Sequence, residues 1–429
     1  MKNKKVIMVL AIIMMVLALT VGCSSDDADD GGDYITIRAV HPGNSQAFFD
    51  LYAEIIRNFE DENPGIRIQF DSFPEGYDEA LVTLFAAGDA PDVIRTHSQD
   101  LGNRVAIGML SPITTFFNNE DFGGDLIDTA IVRFDDEIYF VDPYFAVMVL
   151  YYNRDMFDAA GLAHPADDWT WIDLHTHADL LNIMDGDVFT QFGYLSDWYN
   201  RFWMMYYWSH GGSFFDSEST PTSIAFDNQT ALDGIQLIKD MTDTVGIGAA
   251  VGATVSATEN FINNRVAMTI DGSWMINVFA EMEDLNFGVA LLPMGPAGRG
   301  GMSVSAGETM SATTNHPEEA WKYIMATFSL ESSLLLSGFG DQATSNGLPV
   351  WYSAYTDPRW NPNENIEMAG RQAQETINVV PTFQFTARWM WDILNPTFQE
   401  MLADDLDVRA TLDLIIQRTQ HHVLDDMDR

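Results

Sequence analysis

The residues best able to do chemistry in this 429-residue chain are its 63 Asp+Glu, its nine His and its many aromatics, 11 Trp, 14 Tyr and 27 Phe. Little about their spacing suggests catalysis. His175-Thr176-His177 and His421-His422 are two apart or adjacent, and such side chains diverge on a helix instead of converging on one ion, so no metal site is expected. Carboxylate pairs that hydrolyse glycosides are defined by separation in space, and acids this abundant single out no pair. No G-x-S-x-G, H-E-x-x-H or P-loop occurs, and PAGRGG (296–301) reads as a turn. The aromatic run RFWMMYYWSH (201–210) has helical spacing and reads as core. Flat aromatic faces and planar polar side chains are available for binding, although most of the aromatics are expected in the core.

Charge narrows the partners. A net charge of −42 argues against nucleic acid, which needs a basic footprint, and against electrostatic attachment to anionic lipid. A single cysteine allows no intrachain disulfide and no Cys-based zinc site. The length predicts two or three domains with sizeable cores.

The chain opens with Lys2, Lys4 and Lys5, then an apolar run over 6–20. That run is too short to span a bilayer comfortably and reads as a secretory signal. Leu19-Thr20-Val21-Gly22 then leads to Cys23. This resembles the bacterial lipobox, with Thr20 where leucine is more usual, and implies a lipid on Cys23. Residues 1–22 are the expected signal peptide and 23–33 an acidic flexible tether. The mature chain would keep only Lys239 and Lys322 as lysines. So acidic a surface suits a saline or alkaline habitat, and equally an acidic protein with no special niche.

Alternation at Ile35, Ile37 and Ala39 predicts a strand, and Phe48, Leu51, Tyr52, Ile55 and Phe59 an amphipathic helix. Asn63-Pro64-Gly65 stops it before a strand at Ile66, Ile68 and Phe70; a helix over 75–87 and a strand over 92–94 follow. The order β-α-β-α-β implies a parallel sheet with right-handed crossovers. Strands are predicted over 147–152, 192–195, 266–270 and 287–291. Helices are predicted from 155, over 197–210, 274–281 and 317–336, and through 388–424, with a loop over 293–301. The fold class is α/β.

Five segments, in order, resemble one family. IIRNFEDENPGIRIQF (55–70) is similar to its first helix-turn-strand, and LFAAGDAPDVI (84–94) to its "aaG-x-x-PDv" segment. YYNRDMFDAAGL (151–162) with Trp169-Thr170-Trp171 resembles "YNkdlFekaGl…TW", and FINNRVAMTIDGSW (261–274) resembles "F-x-x-GkaAM-x-x-xGsW". GVALLPMGPAG followed by HPEEAWKYIMATFS resembles its return crossing and the next helix. The family is the extracellular solute-binding proteins of ABC importers, in the sugar-binding group that includes maltose-binding protein. It implies a type II two-lobe fold around a cleft. Lobe one would be 34–142 with 296–349, and lobe two 143–295 with 350–429, with hinges near 143–147 and 287–293.

The resemblance also implies ligand contacts. Trp274 matches the family's cleft tryptophan, and Asp271 beside it is a hydroxyl acceptor or a helix N-cap. His41, Asn44 and Gln46 fall on the first ligand loop; His97, Gln99 and Asp100 follow the third strand. Asp142 and Tyr144 align near the hinge, Tyr152 with the "YN" tyrosine, and Glu308 after the return crossing. Trp389 takes the place of a second stacking aromatic; Trp391 lies two residues on, so only one of the pair can face the cleft. The implied function is a lipid-anchored receptor, without enzymatic activity or cofactor. It would capture a sugar or oligosaccharide as a monomer at the extracytoplasmic face of the cell membrane and deliver it to ABC permease transmembrane subunits. The alternatives are a non-sugar cargo (peptide, polyamine or metal) on the same fold, or a secreted glycoside hydrolase.

Overall fold

The computed structural model describes residues 34–43, 46–144, 146–186, 188–197, 199–243, 256–337, 347–360, 362–375 and 378–427. The signal segment, Cys23, the tether and Asn44 lie outside them. Among the described residues no helix is long and apolar enough to cross a membrane.

The first sheet has the expected parallel centre. Ile35–His41 lies between Ile66–Ser72 and Val93–His97 and is parallel to both. Ile37, Ala39 and Val40 are fully buried, and the helix Gln46–Glu62 buries the predicted stripe Leu51, Tyr52, Ile55 and Phe59. Two further strands complete the sheet: Ala306–Ser311 returns antiparallel beside Val93–His97 and carries Leu110–Ser111 on its other side.

The second sheet is built on Ala146–Asn153, buried along its whole length. That strand pairs antiparallel with Val266–Gly272, with Phe287–Ala290 at its far end and with Met302–Val304 at its start. Val188–Leu195 runs parallel to Val266–Gly272, and Ile183–Asp185 forms the edge. The helix Tyr199–Ser209 is buried except at Tyr206, in keeping with the core reading of its aromatic run.

Three local readings are corrected. The helix over 317–336 is two helices, Pro317–Thr327 and Leu330–Leu336, because Ser329 turns out of the first and caps the second by accepting from the Ser332 amide at 3.2 Å. The C-terminal helical region breaks at Asp405, which adopts a left-handed φ of 50°. The loop over 293–301 contains the hairpin Met294–Gly295/Gly298–Arg299, pinned to the buried helix by Ala297 N–H donating to Ser209 O at 2.8 Å. A Cβ at Gly300 would lie 1.8 Å from Met205 O, so only glycine lets the hairpin approach that helix.

The hairpin also moves the second crossing between lobes. Phe287–Ala290, Met294–Gly295 and Met302–Val304 all remain with the second sheet or the helix on it. The chain enters the first sheet only at Ala306. Ser305 is the single residue between the two registers, and its carbonyl accepts from the Ser98 amide at 3.0 Å. The second passage between the sheets, expected near 287–293, thus falls at Ser305. The third passage follows Val350, whose carbonyl still accepts from Ile127 N–H in the first lobe, and precedes Glu364–Glu375, which packs on the second sheet.

Candidate functional site

The crossing brings both lobes together. His97 pairs with Ala306 in the first sheet, and Ser303 pairs with Val147 in the second. Val147 O accepts from Ser273 N–H at 2.8 Å, immediately before Trp274. One hydrogen-bonded path thus runs from the end of the third strand, through Ser305, to the turn carrying the tryptophan.

On the second lobe the turn is held by Tyr151, whose hydroxyl donates to Gly272 O at 2.7 Å. The indole of Trp274 folds back over Gly272, where a Cβ would sit 2.1 Å from the ring. The guanidinium carbon of Arg201, from the buried helix, lies 6.0 Å from the Trp274 ring centroid and 5.2 Å from that of Trp391. Both indoles are half-buried, and the guanidinium lies over each of the two rings. Burial lowers the Arg201 pKa to about 10, against the pull of nearby Asp271. Asp271 accepts from Gly272 N–H at 2.7 Å and Thr258 Oγ1 at 3.1 Å; burial raises its pKa despite those bonds. Asp271, itself 5% exposed, therefore bonds within its own turn without capping the helix Met275–Ala280, whose N-cap is Trp274, and it neighbours the cation.

On the first lobe, His97, Gln99 and Asp100 are partly exposed at the end of Val93–His97. His97 Nδ1 and Asp100 Oδ2 are 3.8 Å apart. Desolvation, with the Arg95 and Arg104 charges nearby, pushes the His97 imidazole down to about 4; desolvation lifts Asp100 to about 6. Tyr144, at the first crossing, accepts from Arg95 Nη2 at 3.3 Å. Gln46 opens its helix.

Five of the expected contacts are buried. Glu308 is fully buried. Its Oε1 accepts from Tyr52 Oη at 2.8 Å and Arg95 Nη1 at 2.9 Å, its Oε2 from Thr327 Oγ1 at 3.2 Å, and His41 Nε2 is 3.2 Å away. Burial would raise this carboxyl, but the Arg95 charge and the His41 and Tyr52 contacts outweigh it and hold it at about 2. His41, also at 0% exposure, is packed against Phe48, Tyr52 and Phe70, and burial lowers its pKa. This pair braces the wall from within. Asp142, at 1%, accepts from Ala306 N–H at 3.3 Å and so ties the first crossing to the second. Tyr152 packs on Phe157 and His164 and over Gly288 at the end of its strand away from the crossing. Trp389 is fully buried among Phe214, Phe215 and Phe226, with its Nε1 donating to Thr419 Oγ1 at 3.1 Å. Trp391, two residues on, is the one that reaches the cation.

Arg201 was not singled out from the sequence as a binding residue. Its signal was a lone arginine opening an aromatic run, and the helical spacing that made the run core hid this charged member. Among the described residues no group of three or more His, Cys, Asp or Glu could hold a metal.

Residues 43–327 match the family model described as bacterial extracellular solute-binding protein. The chain belongs to that family. Among solute-binding relatives, it is 27% identical over 321 residues to a binding protein of Brucella abortus (strain 2308), covering 72% of this chain and 75% of that one. It is 24% identical over 264 residues to the sn-glycerol-3-phosphate-binding periplasmic protein UgpB of Shigella dysenteriae, covering 56% of this chain and 57% of UgpB. The solved ABC substrate-binding protein Lmo0181 from Listeria monocytogenes, in complex with cycloalternan, superposes with a TM-score of 0.73 at 20% identity, covering 91% of this chain and 99% of that one. The solute-binding fold of two α/β lobes around a cleft is thus established, and the matched relatives are binding proteins.

Proposed function

We propose that this solute-binding protein captures a sugar or oligosaccharide between its lobes and delivers it to ABC permease transmembrane subunits. It would do so as a monomer tethered by lipid on Cys23 to the extracytoplasmic face of the cell membrane. The observation that carries the reading is the half-buried pair Trp274 and Trp391, both against Arg201, next to the crossing. Two indoles offer stacking faces to pyranose rings, and His97, Gln99 and Asp100 offer hydroxyl partners on the other wall. Ligand that touches both walls only when the lobes approach shifts the population to the closed form, which the permease selects.

A second reading, a phosphorylated polyol, is favoured by the same guanidinium and by the UgpB likeness. A thermal-shift screen separates them, because a ligand bound only by the folded state raises Tm. Neutral oligosaccharides, sn-glycerol 3-phosphate and a peptide mixture form the arms. A shift with oligosaccharides, recovered intact afterwards, supports the proposal; a shift confined to another arm, or hydrolysis, overturns it.

A further inference from the structure

One sizeable cavity lies outside the cleft. It is a groove of about 780 Å³ on the second lobe, between the helices Trp171–Leu181, Tyr199–Ser209 and Gln229–Asp243, closed at one end by Met294-Gly295-Pro296. Its floor is apolar and aromatic. Leu237 and Ile172 line it, the latter 75% exposed, and the Tyr206 ring stacks on His210 at 4.1 Å. An aliphatic side chain left that exposed at the lip of a cavity suits an apolar occupant.

Its charges are of one sign. Asp233, Gln236, Leu237 and Asp240 recur at i, i+3, i+4 and i+7, so one face of Gln229–Asp243 forms a wall. Two helical turns separate the carboxylates, a span of about 10 Å along the axis. Gln229 donates to Asp233 at 2.7 Å and Gln236 to Asp240 at 2.6 Å, which steadies both acids. Asp168 adds a third carboxylate, and no Lys or Arg lines the groove.

We propose that this groove binds an elongated organic cation, a linear diamine or polyamine whose outer ammonium groups are set by the spacing of Asp233 and Asp240. Its methylene spine lies on Leu237 and Ile172. The site is separate from the cleft, and its occupation does not depend on the sugar reading.

Calorimetry with octane-1,8-diamine at physiological ionic strength tests it, with butane-1,4-diamine and octan-1-amine as comparators. The eight-carbon diamine should bind at least tenfold more tightly than either. Asp233→Asn with Asp240→Asn should weaken it at least tenfold. Glu283→Gln with Asp284→Asn, which removes the same charge from an exposed turn, should leave it within twofold, as should Trp274→Ala. Absence of binding, no preference for length, or equal losses in the two double variants would overturn the proposal. A loss in Trp274→Ala would place the cation in the cleft and overturn it equally.

Discussion

The ring of Trp274 occupies the space that a side chain at Gly272 would need, approaching its hypothetical Cβ to 2.1 Å. Tyr151 fixes the same glycine through its carbonyl, so the indole is set by a backbone held from both sides.

Trp274→Ala should weaken oligosaccharide binding by roughly ten- to thirtyfold, since stacking is worth on the order of 1–2 kcal/mol. Gly272→Ala should displace the ring and weaken binding similarly while the tryptophan remains. Calorimetry corrected for folded fraction measures both. Unchanged affinity with a large fall in Tm would instead make Trp274 a packing residue.

Arg201→Lys keeps the charge but loses the planar group that lies over two indoles. The expected cost in ligand affinity is about 1 kcal/mol, or roughly fivefold, with intrinsic tryptophan fluorescence altered because Trp274 and Trp391 lose a shared neighbour. Equal affinity in the two proteins would remove Arg201 from the binding wall.

Glu308→Gln should destabilise the first lobe by about 3–5 kcal/mol, because Arg95 is left buried without its charge partner. The carboxyl is held at about 2 in the fold against roughly 4.3 when unfolded. Its stabilising contribution is therefore full above that unfolded value and lost as pH falls through 2. Thermal melts from pH 7 to pH 2 should show the gap between wild type and variant closing below about pH 4. A gap independent of pH would mean that Glu308 acts by packing alone.

Asp142 has the opposite sign. Burial raises its pKa well above the usual carboxylate value, so the folded state retains a proton that the unfolded chain gives up. Its contribution declines as pH rises above the unfolded value of about 3.9. Asp142→Asn cannot ionise and can still accept from Ala306. Its Tm relative to wild type should rise as pH is raised above about 4, and a flat difference would contradict the assignment.

Cys23→Ala should abolish incorporation of an alkyne fatty acid during growth, because Cys23 is the only cysteine in the chain. Undiminished label in the variant would refute the anchor.

Much of the scaffold was legible because alternation and helical periodicity report burial directly. The stripe from Leu51 to Phe59 and the all-buried strand Ala146–Asn153 were readable for that reason. What escaped depends on long-range placement. His41 and Glu308 sit at cleft-facing positions along the chain, yet Tyr52 and Arg95, distant in sequence, draw both inward. Trp389 and Trp391 look equivalent until helix packing turns one into the core. The displaced crossing follows from a hairpin whose pairing rests on two residues a side, too short to leave a periodic signal.

On the proposed closing motion, Ser305 is a pivot with no slack. Met302–Val304 is committed to one sheet and Ala306–Ser311 to the other, so rotation on this path gathers into the torsions of one residue. Probes placed beside it would turn without separating. Probes at the rims of the lobes, such as Ile183–Asp185 on one and Ile66–Ser72 on the other, would sweep the longest arcs. A distance reporter for ligand capture therefore gains sensitivity as it moves away from the ligand.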